Sequence, residues 1–388
     1  MRRAVLVVSC VAVLSIGARA QAQEPAPTPS ASPEAAPSDP PPPPEAPPPP
    51  AAAAQSSKVF NPDMAVIGNF TGAVGKNEVA PRPSLSLEES EVSLQAIVDP
   101  YARADFFISF SDEEVGVEEG FVTFTSLPAG FLLKVGKTKA NFGKVNTLHA
   151  HILPWVDRPL VMANLLGSDD GIADAGLSLS RLFPNPLVFL EATGEVFRGQ
   201  VENVFAAPRR QDVLLVGHLR AYRDLSESTN FEVGGSIARG GSPAGEGFHN
   251  TLYGADATLR WRPLRRAIYK RLLLRTELMW SRREASPVEV VGSGFLPGTT
   301  QEAFGFYASG EYQLGRRWFA GARYDESERA AAPDQRDRGG SLLLTYWPSE
   351  FSQIRVQGRH TRYAEGSDAN ELLFQVLFSI GAHGAHPF

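Results

Sequence analysis

Cysteine is nearly absent from this chain: of 388 residues only Cys10 is one, and it sits inside an N-terminal apolar run. Once that run is removed, neither a disulfide framework nor a Cys-ligated metal site is available. Long apolar runs are missing as well. After residue 16 no stretch approaches the ~20 apolar residues of a spanning helix. That excludes a helical membrane protein but not a barrel, whose strands hide their hydrophobicity in alternation. No basic block with interleaved aromatics is present, so nucleic acid is not an expected partner. The 37 basic and 43 acidic residues are spread along the chain and leave a net charge of -6. The sequence has no Gly-x-Ser-x-Gly elbow. Of the few histidines only His218 falls on an inward strand row, with no evident serine partner. A nucleophile with its base and orienting group is therefore not in sight, and neither an enzyme nor a cofactor is expected.

What is present begins with an export signal. Arg2 and Arg3 precede an apolar stretch over residues 4–16, and Ala18-Arg19-Ala20 or Ala20-Gln21-Ala22 offers a small-residue cleavage site. Residues 1–22 read as a secretory signal peptide. Residues 23–59 are dominated by Pro and Ala, with proline runs at 40–44 and 47–50. Such a segment buries no core and favours extended polyproline II at ~3.1 Å per residue. It is expected to be a disordered periplasmic linker.

Residues 60–388 repeat one pattern. About ten residues alternate apolar with polar, a turn follows, and the pattern returns. In the last segment Leu372, Phe374, Val376, Phe378 and Ile380 share one face, while Glu371, Gln375 and Ser379 share the other. Strand side chains alternate with period two. Sixteen such candidates run near 63–74, 84–98, 102–111, 116–127, 131–139, 175–183, 187–198, 213–224, 229–239, 251–262, 271–283, 302–314, 318–327, 338–347, 351–363 and 370–381. Short turns follow the even-numbered candidates, and longer polar loops such as 199–212, 240–250 and 285–301 follow the odd-numbered ones. That asymmetry predicts an all-β fold, a transmembrane antiparallel β-barrel of about 16 strands in the outer membrane of a Gram-negative bacterium. The candidate at 116–127 alternates poorly.

One connection, 140–173, is too long and too rich in Trp, Leu and Pro for a bland surface loop. It is expected to fold into the lumen after strand 5. Its motifs Gly136-Lys137-Thr138-Lys139-Ala140-Asn141-Phe142-Gly143, Leu153-Pro154-Trp155-Val156-Asp157-Arg158-Pro159-Leu160 and Asp174-Ala175-Gly176 resemble the phosphate-selective porin O and P family. They are closer still to porin-like proteins labelled zinc-regulated TonB-dependent outer membrane receptors. The opening Phe60-Asn61-Pro62-Asp63-Met64-Ala65-Val66-Ile67-Gly68 and the ending His383-Gly384-Ala385-His386-Pro387-Phe388 resemble that branch too. The resemblance implies a sixteen-stranded, trimeric porin whose loop narrows the pore. Energised uptake is not expected, because a plugged receptor needs about 22 strands and a proline-rich tether stands where its plug would be.

The candidate constriction comprises Lys137, Lys139, Asn141, Lys144, His149, His151, Asp157, Arg158, Asp169 and Asp170. With Lys134, the three lysines resemble an anion-drawing cluster. Alternatively they are interfacial, or pair with Asp157, Asp169, Asp170 and Asp174. Inward rows carry both signs, among them Arg103, Asp105, Glu191, Arg275, Glu277, Arg323, Arg355 and Arg359, a mixture that fixes no selectivity. His149 and His151 could hold Zn²⁺ with a nearby carboxylate. No third ligand is identifiable from sequence, so no metal is expected. The expected function is passive diffusion of small hydrophilic solutes through a porin-like channel, with anion preference as its sharper form. The alternatives are a plugged or ligand-specific receptor for metal-related uptake, or a tether without transport. Expected partners are outer-membrane lipid, the barrel assembly machinery (with Phe378 and Phe388 as its signal), the solutes, and two further copies in a homotrimer.

Overall fold

Backbone N–H and C=O groups facing an apolar phase must all be paired, so alternating strands of this kind are stable there only as a closed ring. The computed structural model describes residues 62–111, 115–167, 171–284, 288–290, 294–296 and 300–381. In it, sixteen strands pair antiparallel into one closed barrel. They are β1 (Asp63–Lys76), β2 (Leu85–Asp99), β3 (Ala102–Phe110), β4 (Val115–Phe124), β5 (Phe131–Lys139), β6 (Ala173–Phe183), β7 (Phe189–Phe197), β8 (Leu214–Ser226), β9 (Thr229–Gly241), β10 (His249–Trp261), β11 (Leu272–Glu284), and then β14 (Thr300–Gln313), β15 (Trp318–Arg329), β16 (Ala332–Ser349), β17 (Ser352–Arg362) and β18 (Asp368–Gly381). Between β11 and β14 a small hairpin, β12 (Val288–Val290) with β13 (Gly294–Leu296), stands outside the ring. The ring closes where β1 meets β18, from Ala65 opposite Gly381 to Lys76 opposite Asn370. The sixteen-stranded barrel expected from alternation is the observed fold.

The two faces sort as the period-two rows require. On β18, Leu372, Phe378 and Ile380 are exposed outward, whereas Leu373, Gln375 and Leu377 are buried inward. On β11, Leu274 and Trp280 face out and Glu277 and Ser281 face in. Aromatic pairs lie on the outer surface near the strand ends, Trp318 against Tyr346 at 4.5 Å and Trp280 against Phe304 at 5.1 Å between ring centroids. Such a belt suits a hydrocarbon layer edged by interfaces. No helix among the described residues is long and apolar enough to cross a membrane.

Two departures from the expected pattern have local causes. The β15–β16 connection is only two residues long, because β16 begins at Ala332 rather than near 338. Cross-strand ion pairs carry the ladder beyond the expected end: Arg336 reaches Glu326 at 2.9 Å and Glu328 at 2.6 Å, and Arg329 reaches Asp337 at 2.9 Å. Opposite charges facing each other across a ladder stabilise it. The poor alternation of β4 reflects a bulge. Phe107 pairs with Glu119 and Ile108 with Val117, so Glu118 is the extra residue. β2 has its own bulge at Glu88, between the pairs Asn69–Glu89 and Phe70–Leu87. A bulge re-aims side chains that strict alternation would send elsewhere. Both bulges sit on one side of the barrel, where the lumen is polar.

Candidate functional site: the inward loop and the lumen

The chain between β5 and β6 turns inward at Ala140 and is stapled at its base. Buried Asn146 donates from Nδ2 to the carbonyls of Ala140 (2.8 Å) and Ile172 (3.0 Å), and its Oδ1 accepts the Ile172 N–H at 2.7 Å. One side chain thus satisfies both ends of the loop, a role invisible without the fold. Gly143 follows in a left-handed conformation (φ 63°), and a Cβ there would run into the Glu277 carboxylate. Only glycine meets both demands. Glu277 is fully buried and accepts the N–H groups of Lys144 (3.0 Å) and Val145 (3.3 Å) and the Tyr307 hydroxyl (3.2 Å). Glu195 accepts from both the backbone and the side chain of Asn141, at 2.8 and 2.7 Å. Expected lumen and loop residues are here brought together.

Farther along, a short helix α1 (Leu160–Leu166) packs one face inward. Val161, Met162, Leu165 and Leu166 are all buried, and Gly167 closes the helix in the left-handed region (φ 70°) with its N–H on the carbonyls of Met162 and Ala163. This is the αL ending that glycine favours. Together with Phe142, Val145 and Trp155, these side chains form an apolar cluster with inward residues of the wall: Phe197, Leu214, Leu252, Met279 and Tyr307. The Trp155 ring meets Tyr307 edge-on at 5.1 Å, and the Arg323 guanidinium lies 4.9 Å over it. These contacts seal that face of the loop against the wall.

Asp157 is the polar anchor. Its carboxylate takes Arg323 at 2.9 Å, Arg359 at 2.7 Å and the Gln357 amide at 2.5 Å. Burial alone would raise its pKa, but the Arg323 and Arg359 guanidiniums outweigh that and hold it well below the usual carboxylate range. Arg355 donates to the carbonyls of Leu153 (2.7 Å) and Trp155 (3.3 Å). Three arginines expected to line an open pore instead grip the loop. Arg103 with Asp105 (2.7 Å) and Glu191 with Arg220 (2.7 Å) form separate pairs toward the short-turn end. Arg275 borders small cavities of about 20 and 60 Å³ with Arg355 and Glu311, on the far side of Pro154.

The lysines are not brought together, which corrects the expectation of one basic cluster. Lys134 lies over the Phe121 ring at 4.5 Å, Lys137 donates to the Val117 carbonyl at 2.6 Å, and Lys139 is buried against Glu118 at 2.8 Å. Lys144 contacts Glu232 across the lumen. Burial brings Lys144 down to about 8; Asp256 opposes this, while Arg260, Arg220 and Arg275 add to it. The four meet four different partners, and Lys144 lies beyond the end of β5, in the loop. Asp169 and Asp170 lie outside the described residues, as do His383, His386 and Phe388.

Between the loop and the β1–β4 wall remains a polar cavity of about 550 Å³, lined by Glu88, Glu89, Glu118 and Glu202 and by Arg82 and Arg158. The two bulges deliver Glu88–Glu89 and Glu118–Glu119 as adjacent pairs to this side. At its floor His149 is buried between carboxylates: Nδ1 is 2.6 Å from Glu91 and 3.2 Å from Glu118, and Nε2 is 2.8 Å from Glu119. Burial disfavours the imidazolium, but hydrogen bonds to Glu118, Glu119 and Glu91 prevail and push its pKa up to about 12. His151 stands beside it, with ring centroids 5.7 Å apart and its Nδ1 3.7 Å from Glu91. Sequence reasoning missed these glutamates, because Glu91 lies 58 residues from His149 and Glu119 lies 30.

No protein-family model matches the chain. An uncharacterized protein of Aquifex aeolicus (strain VF5) is 28% identical, over 86% of this chain and 81% of that protein. Among solved structures, the anion-selective porin from Comamonas acidovorans superposes with a TM-score of 0.56 at 9% identity, covering 82% of this chain and 99% of that one. The trimer form of OmpT, an outer membrane protein of Vibrio cholerae, gives 0.55 at 9% identity, with 82% and 99% covered. The outer membrane channel DcaP of Acinetobacter baumannii gives 0.53 at 11% identity, with 82% and 96% covered. Similarity at this level of identity speaks for the fold and does not reach the finer resemblance to phosphate-selective or zinc-regulated proteins. The chain has the closed sixteen-stranded barrel fold of outer-membrane porins.

Proposed function

We propose that this protein is an outer-membrane, porin-like channel that passes small hydrophilic solutes by passive diffusion, without covalent chemistry. The observation that carries the reading is the one-sided lumen: the loop seals against one half of the wall and leaves a polar cavity along β1–β4. Solutes would follow that side and pass the His149–Leu153 turn. Residues 1–22 would direct export, residues 23–59 would trail in the periplasm, and the barrel would insert as a homotrimer. Four carboxylates against two guanidiniums at the cavity favour cations there, because a low-dielectric wall focuses the field of its charges. Anion preference loses its main support with the lysines dispersed. The small cavities beyond Pro154 favour a second reading, a plugged and ligand-specific barrel.

Planar-bilayer recording of the refolded protein across a KCl gradient tests this. Discrete current steps with a cation-selective reversal potential are expected, unchanged by Lys137→Glu. A folded, inserted barrel that carries no current would reject the channel in favour of the plugged barrel.

A further inference from the structure

The turn that floors the cavity has the chemistry of a metal site. His149 precedes the short 3-10 turn Ala150–Ile152, His151 is its middle residue, and Glu91 reaches them from β2. One ligand atom from each of the three lies within 4.8 Å of the other two, and all three residues are buried. We propose that His149, His151 and Glu91 bind one divalent first-row transition-metal ion where the inward loop meets the wall. The site goes beyond the channel reading and stands whether or not the barrel conducts.

The donor set fits such an ion. Two imidazole nitrogens and a carboxylate oxygen are ligands that Zn²⁺ takes at ~2.0–2.2 Å, which places neighbouring donors roughly 3.3 Å apart in a tetrahedral shell. The separations here, 2.6 Å from His149 Nδ1 to Glu91 and 3.7 Å from His151 Nδ1 to Glu91, bracket that value. Glu119 sits 2.8 Å from His149 Nε2. A carboxylate behind a ligating imidazole fixes the ring's tautomer and aims its other nitrogen at the metal.

A second observation is independent of the histidines. Glu89, Glu91 and Glu118 form a further group within the same 4.8 Å limit, sharing Glu91. Glu89 is only 9% exposed, and its buried carboxyl group stands against that of Glu118. Buried carboxylate oxygens are ordinarily paired with donors or ions. In this nest the carboxyl groups of Glu89, Glu91, Glu118 and Glu119 converge on His149 and Lys139. Entry is from the cavity, since Glu89 and Glu118 line both it and the nest.

The test is a titration of chelator-treated, refolded full-length protein at pH 7.5, with Zn²⁺ followed by calorimetry and Co²⁺ by its visible absorption. One ion per barrel is expected, with a dissociation constant below ~10 µM and a Co²⁺ spectrum of nitrogen and oxygen ligation. His151→Gln and Glu91→Gln, each shown to be folded by its heat-modifiable gel mobility, should each weaken Zn²⁺ binding at least tenfold. Doubly substituted His383→Ala/His386→Ala protein should bind as the wild type does. The absence of stoichiometric binding in the wild type would overturn the proposal without recourse to any variant. So would binding that survives both site substitutions or vanishes with the C-terminal histidines.

Discussion

The two halves of the lumen hold the same loop with different shares of apolar and charged contact. Toward β7–β11 and β14 the loop offers Phe142, Val145, Trp155, Met162 and Leu165 to Phe197, Leu214, Leu252, Met279 and Tyr307, while Glu195, Glu277 and Glu232 hold Asn141, Val145 and Lys144 at its base. Each apolar side chain contributes ~1.5–3 kcal/mol on burial, in proportion to area and with little regard to direction. Toward β1–β4, β15 and β17 the contacts are directed: Asp157 to Arg323 and Arg359, and His149 to Glu91 and Glu119. Apolar contact excludes water and closes a path. Charged contact positions the loop yet leaves polar groups that water and solutes can use. The difference lets a firmly seated loop leave a polar cavity along β1–β4.

The largest effect is expected from Asp157→Ala. Removing one partner from a buried charge network leaves Arg323 and Arg359 facing each other and costs ~3–5 kcal/mol. Guanidinium unfolding should show that loss, and conductance should rise as the loop lifts from β15 and β17. Met162→Ala should be nearly as destabilising, ~2–5 kcal/mol through lost burial and a cavity. It should leave single-channel conductance unchanged, because Met162 packs in the apolar cluster away from the polar cavity. Equal conductance changes in the two variants would erase the distinction between the halves.

A smaller effect follows for pH. The folded-state pKa of Asp157 lies below its unfolded value. Its contribution is therefore complete above the unfolded carboxylate pKa of ~3.9 and is lost only as pH falls through the lower folded value. Tryptophan fluorescence of the seated loop should accordingly be flat from pH 7 to 4.5; a transition in that window would mean Asp157 is not the anchor. The smallest stability effect is expected from Glu88→Gln with Glu202→Gln, within ~0.5 kcal/mol as for surface substitutions. That double variant should nevertheless move the reversal potential toward anions.

The strands and the two faces were legible because alternation is a local property. Leu372, Phe378 and Ile380 reveal their outward row with no knowledge of their neighbours. The inward turn of 140–173 was legible from composition, since Trp155 and Leu160 on a mobile surface loop would be costly. The apolar patch it lands on was not: Phe197, Leu252 and Met279 are inward residues on strands whose lumen rows were expected to be polar. The bulges at Glu88 and Glu118 were hidden too, showing only as the weak alternation of 116–127. They matter most for the site, because they bring Glu88, Glu89 and Glu118 to one cavity and Glu119 to His149. The four lysines misled for the opposite reason. They are near in sequence, yet each is drawn to a different partner: Phe121, the Val117 carbonyl, Glu118 and Glu232.

The central claim is that the passage lies on the β1–β4 side and that the other half is sealed. Single-cysteine accessibility tests it most directly, because the only native cysteine is Cys10. Ser109→Cys borders the polar cavity, whereas Ser236 is buried under Gly143, whose N–H it accepts at 2.9 Å. A charged methanethiosulfonate reagent should reduce the current through Ser109→Cys and leave Ser236→Cys untouched. Block through Ser236→Cys, with Ser109→Cys inert, would put the passage on the wrong side and contradict the account.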